Sequence, residues 1–323
     1  MKFRLKSMIK SVLPQILINT LRSLRSSLLD LPQTLERRRT QRIFEAATDT
    51  PSYLDISALE KLQMEYPPLP EYGYDAHTRE ARAISRATQL LGFPGAQGAH
   101  SFLELGCGDG MVSCCLCRKG KKATAIDIGT GLGFDARASR EGVCLLQMDA
   151  AELRFEDESF DFVFSYDGFE HFASPEDVLR AAIRVLKKGG YLYLRFGPLY
   201  YSPFGEHAYR SITVPYCQFL FPKGFINDFT TQKGLDPIDF SYVNNWALES
   251  YRQLWDKSSK VLKRVRYDET LNLSHLSLIR KYPSCFKSKS NYFENFIVSG
   301  LSVLFQKTDH ESPNNGMDSN TRR

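Results

Sequence analysis

The sequence lacks a paired cysteine framework. Its seven cysteines are an odd number, and four crowd together at Cys107, Cys114, Cys115 and Cys117. A secreted disulfide scaffold would pair them and spread them through loops. No set of CxxC-type pairs with further ligands appears, so no metal is expected. What remains is small, buried, apolar cysteine in a reducing compartment. No apolar run is long enough to span a bilayer, because Pro14, Asn19 and several arginines interrupt the N-terminal one. No small-residue cleavage site follows it, so a signal peptide is not expected. No repeat of 20–50 residues appears either.

Excess positive charge is confined to the N-terminus. Residues 1–42 hold ten Lys/Arg and two acids, Asp30 and Glu36, a net +8. The whole chain of 323 residues carries +5, so the remainder is at −3. A basic arm on a near-neutral body does not suit nucleic-acid binding. Hydrophobic content of 42% and charged content of 24% fit a soluble globular protein of one large domain with additions.

Apolar residues in the arm recur at helical spacing: Leu5, Ile9, Val12, Ile16, and Leu13, Leu17, Leu21, Leu24, Leu28. Three readings stay open. The helix docks on the body, lies on an anionic membrane through residues 1–42, or acts as a mitochondrial transit peptide. The expected compartment is the cytoplasm, with peripheral membrane contact or mitochondrial import as the alternatives.

The chain divides into an arm and linker (1–75), a main domain (76–307) and a polar tail (308–323) expected to be disordered. PPLPEYGY marks a loop and EARAISRATQLL a helix. From Ser101 the pattern alternates. SFLEL, ATAIDI, VCLLQMD, FDFVFSY and YLYLRFG read as strands, with helices between them such as PEDVLRAAIRVLKK. This βαβαβ series implies a mostly parallel Rossmann-like sheet with helices on both faces.

FLELGCGDG (Phe102–Gly110) ends a strand and places glycines at 106, 108 and 110 before a helix. Such glycines let the backbone turn tightly and approach a ligand closely. The spacing is GxGxG rather than the dinucleotide GxGxxG. Asp127 closes the second strand, where an acid can grip ribose hydroxyls; that position does not separate nicotinamide enzymes from methyltransferases. GTGLGF (Gly129–Phe134) lacks a strand–turn–helix setting and reads as a plain loop.

The third strand separates them. QMDAAELRF carries Asp149 just past the strand, followed by FEDESFDFVFSYDGFEHF, a helix and LKKGGYLYL. This order resembles the class I S-adenosylmethionine-dependent methyltransferases of type 11 over Ser101–Gly197. The resemblance implies a seven-stranded sheet and S-adenosyl-L-methionine as cofactor. It implies cofactor contacts from Glu104, Gly106, Gly108, Gly110, Asp127, Ile128, Asp149 and Ala150. Tyr166 and Asp167 would then lie beside the sulfonium, a soft cation, and His171 would line the cofactor pocket.

For a hydroxyl acceptor the protein must align the nucleophile and remove its proton. His207, in LYYSPFGEHAY after strand five, is the expected general base, with Glu206 orienting it or replacing it. Tyr200, Tyr201 and Tyr209 are expected acceptor-pocket walls. His77, His100, His275 and His310 have no supporting context.

IDFSYVNNW (Ile238–Trp246) and NFIVSGLSVLFQK (Asn295–Lys307) read as the last two strands. Residues 247–290 between them are expected to be a helical cap, and KVLKRVR a solvated basic helix face. The expected activity is methyl transfer to a small-molecule or glycan/lipid-linked acceptor, most simply at oxygen. The alternatives are C-methylation of a quinone-like lipid, a catalytically silent binding module, and a nicotinamide-dependent oxidoreductase.

Overall fold

A computed structural model describes residues 15–68, 75–129 and 135–308, without the side chains of 15–30, 135, 136 and 139. Most of GTGLGF, the PEYGY end of the Pro67–Tyr74 loop and the polar tail lie outside the described residues. The α-helices of five or more residues run α1 (Gln15–Ala46), α2 (Ser57–Glu65), α3 (Ala76–Leu91), α4 (Met111–Arg118), α5 (Asp135–Glu141), α6 (Pro175–Val185), α7 (Lys223–Gln232), α8 (Leu248–Lys257), α9 (Leu276–Lys281) and α10 (Pro283–Lys287). The strands are β1 (Ser101–Leu105), β2 (Lys122–Asp127), β3 (Cys144–Gln147), β4 (Phe160–Tyr166), β5 (Leu186–Phe196), β6 (Leu262–Leu271) and β7 (Val298–Lys307).

The seven strands form one sheet in the order β3-β2-β1-β4-β5-β7-β6. β1 to β5 pair in parallel, and β7 runs antiparallel to both β5 and β6. Side-chain alternation along the strands divides the core in two. Leu103, Leu105, Val163, Leu192 and Leu194 face one side. They pack with Val178 and Val185 of α6 and with Leu248, Tyr251 and Trp255 of α8. Phe102, Phe162, Phe164 and Tyr193 face the other side and meet Ala83, Ala87 and Leu90 of α3 and Val112 and Leu116 of α4. Cys107, Cys114 and Cys115 are buried among apolar residues, and all seven cysteines are free thiols.

Three expectations are corrected at the C-terminal end. Ile238–Trp246 is not a strand. Its polar side chains bind local backbone instead: Asp239 accepts from the Ser241 amide, Asn244 accepts from the Trp246 amide, and Asn245 has a φ of 57°. Such bonds compete with a sheet ladder. The sixth strand comes from Leu262–Leu271, so part of KVLKRVR lies in an edge strand, not a helix. Lys263, Arg264 and Arg266 are exposed there, and charge on an edge discourages pairing with another chain. The segment 247–290 is also not one cap. Its α8 and β6 belong to the unit of residues 54–272 and 294–323, whereas 273–293 groups with residues 1–53.

Within that smaller unit the last turns of α1 are held by side-chain contacts. Thr40 and Phe44 are fully buried, and Phe44 packs on Phe293 with ring centroids 5.7 Å apart. Arg280 reaches Glu36 at 2.8 Å and the Thr40 hydroxyl at 3.0 Å. No helix among the described residues is long and apolar enough to cross a membrane.

Candidate active site

The strand order reverses between β1 and β4: the chain goes from β1 outward to β2 and β3, then returns to the far side of β1 for β4. Loops leaving the carboxyl ends of strands diverge at such a point and leave a crevice. Here the crevice is a cleft of about 450 Å³. Its walls include Gly106, Gly108, Asp127, Ile128, Asp149 and Ala150 on one side and Asp167, His171, Phe172 and Tyr242 on the other.

The first wall is largely backbone held by carboxylates. Gly108 has a φ of 52°, and a Cβ placed on it would meet no protein atom within 4 Å. The space in front of it is therefore open to a ligand, and the conformation is one an L side chain rarely adopts. The Asp127 carboxylate accepts the Gly108 amide at 2.8 Å on one oxygen and the Gly129 amide at 2.9 Å on the other. Two backbone donors fix its plane, and its remaining lone pairs are free for paired hydroxyls. Ile128 is 72% exposed and faces the cleft beside Asp149 and Ala150. An exposed apolar surface next to an acid suits a flat heteroaromatic ring with an amino group. These observations fit S-adenosylmethionine.

The second wall is built from side chains on the loop after β4. Phe169 is fully buried against Phe196, Tyr251 and Trp255, and this anchor presents Asp167, Glu170 and His171. Asp167 has a φ of 49° and forms an ion pair with Arg86 of α3. His171 Nδ1 lies 2.7 Å from the Tyr242 carbonyl, so Nδ1–H donates and the lone pair sits on Nε2. The segment misread as a strand therefore sets this tautomer. Its Asn244 amide also bonds the Glu170 carbonyl at 2.9 Å. Burial lowers the His171 pKa, which keeps the ring neutral at neutral pH. Glu170 is 2% exposed; one oxygen accepts the Gly197 amide at 3.0 Å, and burial pushes its pKa up to about 8.

The loop after β5 packs tightly. A Cβ on Gly205 would fall 2.1 Å from the Leu199 carbonyl oxygen, so only glycine fits there. His207 follows with a φ of 56°, and its ring lies edge-on to His171 at 4.9 Å between centroids. Burial and the neighbouring His171 lower its pKa to about 4.

The structure sorts the expected residues. Gly106, Gly108, Asp127, Ile128, Asp149, Ala150, Asp167 and His171 meet at the cleft. Gly110 adopts the left-handed region at the N-terminus of α4. Glu104 does not face the cleft. Strand alternation turns it inward, where it accepts the Ser113 hydroxyl at 2.5 Å and amide at 3.2 Å. Tyr166 is also turned away and bonds Arg86 and Gln89 of α3 through its hydroxyl. His207 lies behind His171 rather than on the cleft surface. Glu206 is 2% exposed and neither carboxylate oxygen has a hydrogen-bond partner, so it does not orient His207. Burial raises its pKa to about 7. Tyr200 and Tyr201 pack on Phe219, and Tyr201 also on Phe296. Both are half-buried, and neither is among the residues lining this cleft. Tyr209 stays near His207, at 6.4 Å between rings. Sequence reading missed Glu170, Phe172, Tyr242 and Arg86. Only Glu170 carried a signal, an acid beside His171 inside an apolar stretch.

Sheet order and site together define a methyltransferase architecture of class I. Residues 103–194 match the family model described as "Methyltransferase domain". A malonyl-[acyl-carrier protein] O-methyltransferase of Priestia megaterium is 27% identical over 213 residues, 60% of this chain and 75% of that one. A ubiquinone biosynthesis O-methyltransferase of Xanthomonas campestris is 31% identical over 198 residues, 58% of this chain and 77% of that one. One of Xanthomonas euvesicatoria is 34% identical over 187 residues, 54% and 73%. The chain belongs to the class I S-adenosylmethionine-dependent methyltransferases, and S-adenosyl-L-methionine is its cofactor.

Proposed function

We propose that the protein transfers a methyl group to an oxygen of a small-molecule or lipid- or carrier-linked acceptor. The observation that carries this is that Asp167 and His171 both line the cleft that Asp127 and Asp149 line, with His171 Nδ1–H tied to the Tyr242 carbonyl so that Nε2 keeps its lone pair. S-adenosylmethionine supplies an activated methyl on a sulfonium. Gly106 and Gly108 give its methionine part a close approach, Asp127 holds the ribose, and Ile128, Asp149 and Ala150 receive the adenine.

The remaining work falls to the second wall. Asp167 favours positive charge beside it, tempered by Arg86. His171 takes the acceptor's proton at Nε2, and its Nδ1–H bond to Tyr242 holds the ring for that task. His207 buttresses this ring. The relatives' names support oxygen as the acceptor atom, since all three are O-methyltransferases.

A smaller cleft of about 290 Å³ adjoins and shares Asp167. Arg195 lines it, and its guanidinium makes no hydrogen bond or ion pair with the described residues. An acceptor bearing an acidic group some distance from its hydroxyl suits that arrangement. The test is transfer of a labelled methyl from S-adenosylmethionine into a cell extract, with the product identified by mass. A labelled methyl ether or ester is expected; a label on carbon or nitrogen would overturn the oxygen assignment.

A further inference from the structure

Glu170, His171 and His207 each offer one ligand atom, and the three atoms lie within 4.8 Å of one another. We propose that these residues form a binding site for a divalent transition-metal ion at the acceptor end of the cleft. Five observations converge on it. One Glu170 oxygen is buried with no hydrogen-bond partner, an expensive arrangement unless something completes it. His171 donates Nδ1–H to the Tyr242 carbonyl at 2.7 Å, the outer bond that fixes a ligating imidazole and leaves Nε2 to coordinate. That Nε2 lies 4.0 Å from the other Glu170 oxygen. His207 is held at a φ of 56°, a backbone conformation costly for a non-glycine residue and found where surroundings enforce it. Its Nε2 has only a long 3.4 Å approach to the Pro198 carbonyl.

Three donors around one ion at about 2.1 Å lie about 3.4 Å apart. Closing from separations within 4.8 Å needs the ligand atoms to approach by at most about 1.4 Å. Two imidazoles and one carboxylate favour zinc-like or iron-like ions over magnesium or calcium. Three protein ligands also leave coordination positions open, and of the three residues His171 lines the cleft. With an ion bound, His171 Nε2 is a ligand and no longer the base; the ion would instead lower the pKa of the acceptor hydroxyl itself, so that its proton leaves to water. That use rests on the methyl-transfer reading; ion binding does not.

The experiment uses the full chain, treated with chelator and dialysed. Co²⁺ is titrated and followed by visible absorption, with Zn²⁺ as competitor, on the wild type, Glu170→Gln, His207→Ala and a His100→Ala control. Thermal melts show that each variant is folded, and Glu170→Gln keeps the shape if His207→Ala does not fold. One equivalent of Co²⁺ is expected in wild type and control. Affinity should be lower by at least about 10- to 100-fold in the two ligand variants. No Co²⁺ or Zn²⁺ binding by the wild type, or equal binding by all four proteins, would overturn the site. Titration with S-adenosylhomocysteine runs in parallel. Ion binding without it sinks the methyl-transfer reading alone, and the converse sinks the metal site alone.

Discussion

The two walls of the cleft are built by different means. The wall at the ends of β1 to β3 is backbone: glycines in left-handed conformations, amides fixed by Asp127, and one exposed Ile128. The wall at the end of β4 is side chains: Asp167, Glu170, His171 and, behind them, His207, with Asp167 and His207 at positive φ. A backbone wall suits a ligand that is always the same. A wall of side chains on loops can change from one member of a fold to the next. The difference predicts that cofactor binding and turnover can be damaged separately.

The aromatic cluster behind the second wall gives the largest structural effect. Tyr201→Ala should lower stability by about 3 kcal/mol, since it empties a site against Phe219 and Phe296. Tyr201→Phe should cost under about 1 kcal/mol and leave turnover per folded molecule unchanged. Urea unfolding and a rate assay check this. A severe loss of rate in the Phe variant would return Tyr201 to the acceptor pocket and dissolve the distinction between wall and core.

A pH-dependent effect comes from the first wall's support. Burial raises the Glu104 pKa to about 8 from an ordinary 4.5. The unfolded chain releases that proton at lower pH than the folded one, so the contribution to stability declines as pH rises from about 4.5 to about 8. Below that window Glu104 is protonated in both states and contributes no slope. Glu104→Gln should flatten the decline, by up to about 1.4 kcal/mol per pH unit. Thermal melts of both proteins at pH 5 and pH 8 read the effect. Parallel curves would mean that Glu104 stays ionised and is satisfied by Ser113 alone.

The contrast also explains what the sequence disclosed. Glycine spacing and a strand-ending acid are local signals, so Gly108, Asp127 and Asp149 could be read directly. So could the first five strands, whose apolar runs and intervening helices set the sheet. Side-chain direction was less legible. Tyr166 and Glu104 sit at the right strand ends, but alternation turns both away from the cleft. The LYYSPFGEHAY loop was placed after the correct strand, yet Glu206 turns into the interior and Tyr200 and Tyr201 pack half-buried on Phe219. The Tyr242 carbonyl that sets the His171 tautomer lies 71 residues along the chain, and no local spacing encodes it. The sixth strand was misplaced because Ile238–Trp246 has apolar residues at strand spacing, while Asp239 and Asn244 divert its backbone.

The separation of the two walls is tested most directly by titrating S-adenosylhomocysteine into Asp127→Ala and His171→Ala side by side by calorimetry. Asp127→Ala should weaken binding about 100-fold, because it removes charge-assisted bonds and frees the Gly108 amide. His171→Ala should bind within about threefold of wild type while its turnover falls about 10²- to 10⁴-fold. Equal weakening in both variants, or wild-type affinity in Asp127→Ala, would contradict the account.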